Sequence, residues 1–282
     1  MLTPRARTLG AALRDARLAA RFGVRELARR IGVHPALLSS WELGYRVPGP
    51  EEVAGVLGAL GVTGEEKEWI TRLARGIAGP GWFTPGSQAS PTHSAALKAH
   101  ERAALSMSVW APIVFPDLLQ TPGYARFARG TESQDVMALE ALMRRRDVLF
   151  GAQAVSADFF IGEDAVYNHF GDDVMAQQLR FIVDLAVRSR TITVRLLPRL
   201  PRRSVVLPWA FTTYRMEDSP PVVYCPHHCM GVFLVGEHAT PYEAITATLA
   251  EQAMPPSETI GWLSAEADRL ARSSGSQSLP TT

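Results

Sequence analysis

Between Val24 and Trp41 the chain has little conformational choice. Numbering from Val24, the fifth place holds the small Ala28, and Gly32 follows four residues later. Gly32 suits the left-handed residue that ends a helix, and Pro35 then opens the next one, where a missing N–H costs nothing. Leu27, Ile31, Val33, Leu38 and Trp41 supply the apolar side, and Gly44 closes the second helix. The result is two short helices that cross closely over a sharp turn. A preceding helix is expected from Leu9 to about Arg21, with Leu9, Leu13, Ala16 and Ala20 on one face. Pro50 opens a fourth, with Val53, Val56, Leu57 and Leu60 inward, and a fifth runs from Glu65 to Ile77 around Trp69, Ile70 and Leu73.

This is the pattern of a helix-turn-helix, which needs a small residue where its helices meet and a glycine at its turn. Charge supports a nucleic-acid role. Up to Arg46, nine arginines face only Asp15, Glu26 and Glu42, a net +6 in a chain whose total is +1. On the third helix, His34, Pro35, Ala36, Ser39 and Ser40 are the positions expected to face base edges and adjacent phosphates. Arg25, at the start of the second helix, is placed for phosphate or guanine. Arg46, after the third helix, is placed for backbone or minor groove. Ala36 and Ser40 are short, so specificity is expected to lean on Arg25, on His34, on thymine-methyl contacts by Ala36 and on DNA shape.

The segment Gly32 to Gly44, GVHPALLSSWELG, resembles the lambda-repressor-like (xenobiotic-response-element, XRE) regulators. Glu42 and Gly44 match that family's Glu-x-Gly signature, and Arg46 and Pro48 match its following Arg and Pro. The resemblance spans roughly Leu9 to Leu60 and implies a five-helix, all-α DNA-binding domain with its third helix in the major groove. His34 departs from the family's usual Ser or Thr cap.

With 282 residues, 46% of them hydrophobic, the chain is long enough for two domains with real cores. Gly79, Pro80, Gly81, Pro85, Gly86, Ser87, Ser90 and Pro91 read as a linker. The expected division is therefore a DNA-binding domain at 1–77, a linker at 78–93, a second domain at 94–272 and a disordered tail at 273–282. Helices are expected at Ser94–Ser108, Pro122–Arg129, Ser133–Phe150, Asp173–Arg188, Tyr242–Ala253 and Ser257–Arg272. Strands are expected at Val155–Ile161, Ile192–Leu197, Ala210–Arg215, Val222–Cys225 and Gly231–Val235. That is an α+β domain, a small sheet flanked by helices. The most apolar stretch, Val109 to Leu119, is too short for a membrane span and is broken by Pro112 and Pro116. With no signal-peptide pattern and two cysteines only, a cytoplasmic protein is expected.

PDLLQTPGYARF, from Pro116 to Phe127, resembles the PGLLQT-x-x-YA motif of a C-terminal domain in actinobacterial regulators described as antitoxin-like, of the Scr type. The basic cluster Arg144–Arg146, the segment Asp172 to Leu185, Leu197–Pro198 and Pro221–Tyr224 extend the match. Pro116–Asp117 and Arg146–Asp147 depart from the family's Pro-Gly and Arg-Gln. The resemblance implies a partner-binding domain paired with a small acidic or toxin-like protein encoded nearby.

Other constellations carry less. Cys225, His227, His228 and Cys229 are zinc-ligand types, but four ligands within five residues do not easily surround one tetrahedral ion, and a polar hairpin loop is the alternative. The pairs Glu163–Asp164 and Asp172–Asp173 read as solvated ends. Phe159, Phe160, Trp209, Phe211 and Tyr214 could line a pocket but suit a sheet core. Neither a catalytic set nor a phosphate-binding glycine loop is present, so no enzyme activity and no cofactor are expected. The expectation is a repressor that binds a pseudo-palindromic double-stranded operator as a homodimer, with half-sites about one helical turn apart. Its input would be a small protein or, alternatively, a small molecule.

Overall fold

The computed structural model describes residues 3–75, 81–85, 91–128, 136–151, 154–167, 171–199, 209–217 and 219–277. Its first five helices are α1 (Pro4–Ala19), α2 (Val24–Arg30), α3 (Pro35–Glu42), α4 (Pro50–Leu60) and α5 (Gly64–Ala74). Leu9 and Leu13 of α1, Leu27 and Ala28 of α2, Leu38 and Trp41 of α3, and Val53, Val56 and Leu57 of α4 are buried. Trp69, Ile70 and Leu73 of α5 complete this core. α1 starts five residues ahead of Leu9 because Thr3 caps it. The Thr3 hydroxyl accepts from the Ala6 N–H at 3.2 Å, and Pro4 fills the first helical position.

Among the described residues seven strands follow: β1 (Gly81–Pro85), β2 (Ser106–Ala111), β3 (Ser156–Gly162), β4 (Ile192–Leu197), β5 (Phe211–Arg215), β6 (Val222–His227) and β7 (Met230–Leu234). They make one mixed sheet in the order β1-β7-β6-β5-β2-β3-β4. With α6 (Pro91–Ala103), α7 (Pro122–Ala128), α8 (Val136–Arg145), α9 (Asp164–Tyr167), α10 (Asp172–Arg188), α11 (Pro241–Gln252) and α12 (Pro256–Gln277), the region beyond α5 is α+β.

Three local expectations are corrected. Residues 81–85, read as linker, form β1, antiparallel to β7 with Gly81 opposite Leu234 and Pro85 opposite Met230. A β-carbon at Gly81 would collide with the Phe233 carbonyl, so this strand can lie there only with glycine at its head. The helix expected to reach Ser108 stops at Ala103, and residues 106–108 belong to β2. The Leu105 N–H donates to the Arg215 carbonyl at 2.8 Å, which takes the chain out of the helical ladder. At the other end α12 continues to Gln277, so residues 273–277 are helical where a tail was expected. Residues 78–80, 86–90, 133–135 and 278–282, which carry parts of the expected linker, helix and tail, lie outside the described residues.

The chain divides into two compact units, residues 1–105 with 214–240, and residues 106–213 with 241–282. In the first, α1 packs on α3, α5 and α6, and β7 lies between β1 and β6. In the second, β2, β3 and β4 run parallel, with Ser106 beside Ser156 and Ala157 beside Ile192. There α12 covers α10 and β4, and Thr259 fastens it by accepting the Leu196 N–H on its hydroxyl at 3.1 Å.

Candidate nucleic-acid interface

The turn between α2 and α3 is built entirely from local bonds. Gly32, at φ +71°, lets the Gly32 N–H reach the Arg29 carbonyl at 3.3 Å and the Val33 N–H reach the Ala28 carbonyl at 2.9 Å. Two otherwise orphaned carbonyls of α2 are thereby satisfied in a Schellman arrangement. Ala28 is fully buried where the two helices meet, and Leu27 and Leu38 are likewise fully buried. Any larger side chain at 28 would push the helices apart.

On the opposite side, His34 and Ala36 are exposed, and Pro35, Ser39 and Ser40 are half-buried. His34 replaces the usual hydroxyl cap with its ring: Nδ1 accepts the Ala36 N–H at 3.2 Å. The lone pair is therefore used at Nδ1, and in the neutral ring the proton sits on Nε2, a donor left for an external acceptor. Ser40 Oγ donates to the Leu37 carbonyl at 2.7 Å, which leaves its oxygen free to accept only. Arg25 is exposed in the first turn of α2, and Arg46 is exposed in the loop after α3, where its N–H donates to the Ser40 carbonyl at 3.2 Å. Leu43, Tyr45 and Val47 flank Arg46 and are also exposed. Sequence reasoning passed over these three, since apolar types carry no signal of exposure.

The count of nine arginines overstates the positive face. Arg17 is buried against Glu42 in a bidentate pair, Nε to Oε1 at 2.6 Å and Nη2 to Oε2 at 2.9 Å, and its Nη1 donates to the Phe22 carbonyl. The hydrogen bonds it donates to Glu42 hold the Arg17 guanidinium above its ordinary pKa, against the burial that opposes it. Arg7 donates to Met216 Sδ, and burial draws its pKa down. Exposed cations remain at Arg14, Arg21, Arg25, Arg29, Arg30 and Arg46, with Arg30 lying 5.3 Å over the Phe22 ring. The Glu-x-Gly signature thus has a mechanical reading: Glu42 fastens the end of α3 to α1.

Further contacts fasten this bundle to α6 and β1 inside the first unit. Trp69 Nε1 donates to the Phe83 carbonyl at 2.6 Å, and Asp15 of α1 feels Lys98 and Arg102 of α6 while burial raises its pKa. Trp82 stacks on Phe233 with centroids 5.3 Å apart and on His100 at 5.8 Å. His100 is fully buried, with its Nδ1 bonded to the Ala96 carbonyl at 2.7 Å. Burial pushes its pKa down to about 4, Arg7 adding to the effect against the Ala96 bond.

In the second unit, the three motif segments are parts of a single network. Arg145 pairs with Asp117 at 3.1 Å, and Arg146 donates to the Leu118 and Gln120 carbonyls while lying 4.5 Å over the Phe181 ring. From α10, Gln178 donates to the Leu119 carbonyl at 2.6 Å and accepts the Thr121 N–H at 2.7 Å. Leu118, Leu119 and Tyr124 are buried. Phe159, Phe160 and Phe211 are core and Trp209 is exposed, while Tyr214, of the first unit, is buried beside His100.

The carboxylates Glu163 and Asp164 both hold Arg199, through its N–H and its guanidinium respectively. Cys225 and His227 lie on β6 of the β6–β7 hairpin, with Cys229 in its turn, 3.7 Å from His227 Nδ1. Among the described residues no three such side chains converge on a point that could hold a metal. No described helix is long and apolar enough to cross a membrane.

Comparison with known families gives two matches along the chain. The model of a helix-turn-helix domain matches residues 8–70. The model described as Domain of unknown function (DUF5753) matches residues 94–265. No curated protein matches the chain.

Proposed function

Because the chain belongs to the DUF5753 family and carries a helix-turn-helix domain ahead of that region, we propose that it is a sequence-specific repressor whose C-terminal region receives a regulatory partner. The helix-turn-helix domain marks a DNA-binding transcriptional regulator. The observation that carries the sequence-reading part is the outer side of α3. His34, Pro35, Ala36, Ser39 and Ser40 lie along it, while Leu38, Trp41 and Glu42 anchor the inner side. In this reading Arg25 and Arg46 hold phosphates or groove edges on either side of the helix. One short helix buries little surface, so the working form is a homodimer on a pseudo-palindromic operator.

The resemblance of the region from Ser94 to Leu270 to Scr-type antitoxin-like regulators supports a small protein, encoded nearby, as the input. The anchoring of α1 and α5 to α6 and β1 gives such an input a direct mechanical path to the DNA-reading helices. The chain acts by binding and not as an enzyme, in the cytoplasm, without a cofactor. A second reading, release of DNA by a small molecule, is favoured by a cavity at the amino-terminal edge of β3 and β4.

The test is selection of genomic DNA fragments by the purified protein, followed by gel shift at two salt concentrations. Enrichment of one short palindrome beside its own gene or a neighbour, with affinity falling steeply as salt rises, is the expected result. Folded protein that enriches no sequence would remove the specific-repressor reading. Co-purification of the product of an adjacent gene tests the partner separately.

A further inference from the structure

In the second unit a cavity of about 460 Å³ opens where the chain enters β3 and β4. Its size is that of small-ligand sites, which run from about 300 to 1,000 Å³. Leu149 and Leu185 give it an apolar floor, and the Phe150 ring stands at its rim 48% exposed. An aromatic ring left that wet gains free energy from anything apolar that covers it.

The charges lining the cavity are Arg188, Arg190 and Asp184. Arg188 and Asp184 are one helical turn apart and pair at 3.4 Å, so their charges offset each other. Arg190, exposed in the link between α10 and β4, makes no hydrogen bond or ion pair among the described residues. The cavity therefore offers apolar side chains and one guanidinium without a partner among the described residues, whose planar fork matches a carboxylate. From this we propose that it binds a small monoanionic acid with an apolar body, a carboxylate on one aromatic ring or a short alkyl chain. A phosphorylated ligand, with two negative charges, exceeds what one free guanidinium balances.

The inference rests on the second unit alone and is tested without DNA, so its failure leaves the DNA-binding reading untouched. The full-length protein is titrated calorimetrically with phenylacetate, benzoate and octanoate, and with phenylacetamide as the neutral match. The acids saturate a single site, and phenylacetamide binds at least about tenfold more weakly than phenylacetate. Arg190→Gln, an exposed change that leaves the thermal midpoint in place, removes that preference. Ala154→Phe, which puts an aromatic ring at another lining position, abolishes binding of every acid. Equal binding of acid and amide, or full affinity in Arg190→Gln, overturns the assignment of the guanidinium. Absence of saturable binding by all three acids overturns the site.

Discussion

Each unit uses a buried arginine to fasten a helix, Arg17 to Glu42 in the first and Arg145 to Asp117 in the second. What differs is the other side of the fastened element. α3 carries its anchors Leu38, Trp41 and Glu42 and the proposed reading positions Ala36 and Ser39 within eight residues. The motif around Leu118 and Leu119 spends its residues inward, on Arg146, Gln178 and the buried Tyr124. A motif names a function when anchor and reader share one short element. When the motif residues whose contacts are seen are all anchors, they name only a fold.

The sharpest way to test that parallel is to remove the carboxylate from each pair. Glu42→Ala leaves the Arg17 guanidinium buried without a counter-charge and should cost about 3–5 kcal/mol in urea unfolding. Asp117→Ala should cost less, because the Asp117 side chain is 19% exposed against 5% for Glu42, and water can reach the arginine it leaves. The double change Arg17→Met with Glu42→Leu should recover most of the loss. An Asp117→Ala cost equal to that of Glu42→Ala would break the ranking by burial.

A second difference between the units concerns acid. His100 lies buried in the first unit, its pKa depressed to about 4 by burial. The unfolded chain takes up that proton near pH 6.5 and the folded chain does not. Stability from this group is therefore whole above about pH 6.5 and is lost progressively as pH falls toward 4, by up to roughly 3 kcal/mol. His100→Leu should flatten that slope in chemical denaturation at stepped pH. An unchanged slope in the variant would assign the acid sensitivity elsewhere.

Next in size is DNA affinity. Arg25→Ala should weaken operator binding by about 1–3 kcal/mol if it reads guanine. A phosphate role would instead weaken all sequences alike and reduce the salt slope by about 1. Gel shifts on operator and scrambled DNA distinguish the two, and the thermal midpoint should not move because Arg25 is exposed. Loss of midpoint in Arg25→Ala would show a structural arginine resembling Arg17.

The limits of the sequence reading follow the same division between local and distant. Ala28, Gly32 and Pro35 were legible because their constraints lie within a few residues, and the alternation in Ile192–Leu197 placed β4 at its observed bounds. The Arg17–Glu42 pair spans 25 positions, and no charge count separates an internal arginine from a solvent-facing one. β1 was hidden for a related reason. Its five residues sit among glycines and prolines, and the partner that makes them a strand, β7, arrives about 150 residues later, at Met230–Leu234. β2 was hidden by the alanine-rich α6 just before it, whose periodicity runs visually into Ser106–Ser108 although the Leu105 N–H has already turned to Arg215. The network joining Asp117, Arg145, Arg146 and Gln178 was visible as three separate motifs but not as one object, since sequence order does not show which of them touch.

The smallest expected effect bears most directly on how anchor and reader combine in one residue. His34 caps α3 through Nδ1, and in the proposed reading its Nε2 meets an acceptor on DNA. His34→Ala removes both and should cost about 1 kcal/mol of stability as well as affinity. His34→Ser restores the cap but offers only a short hydroxyl, so stability should return to that of the parent while base preference at the contacted position changes. Thermal unfolding of the three proteins and binding to operators randomised at single positions separate the two roles. If His34→Ser matches the parent in both measurements, the histidine is an anchor alone, and sequence reading at the start of α3 falls to Ala36, Ser39 and the neighbouring arginines.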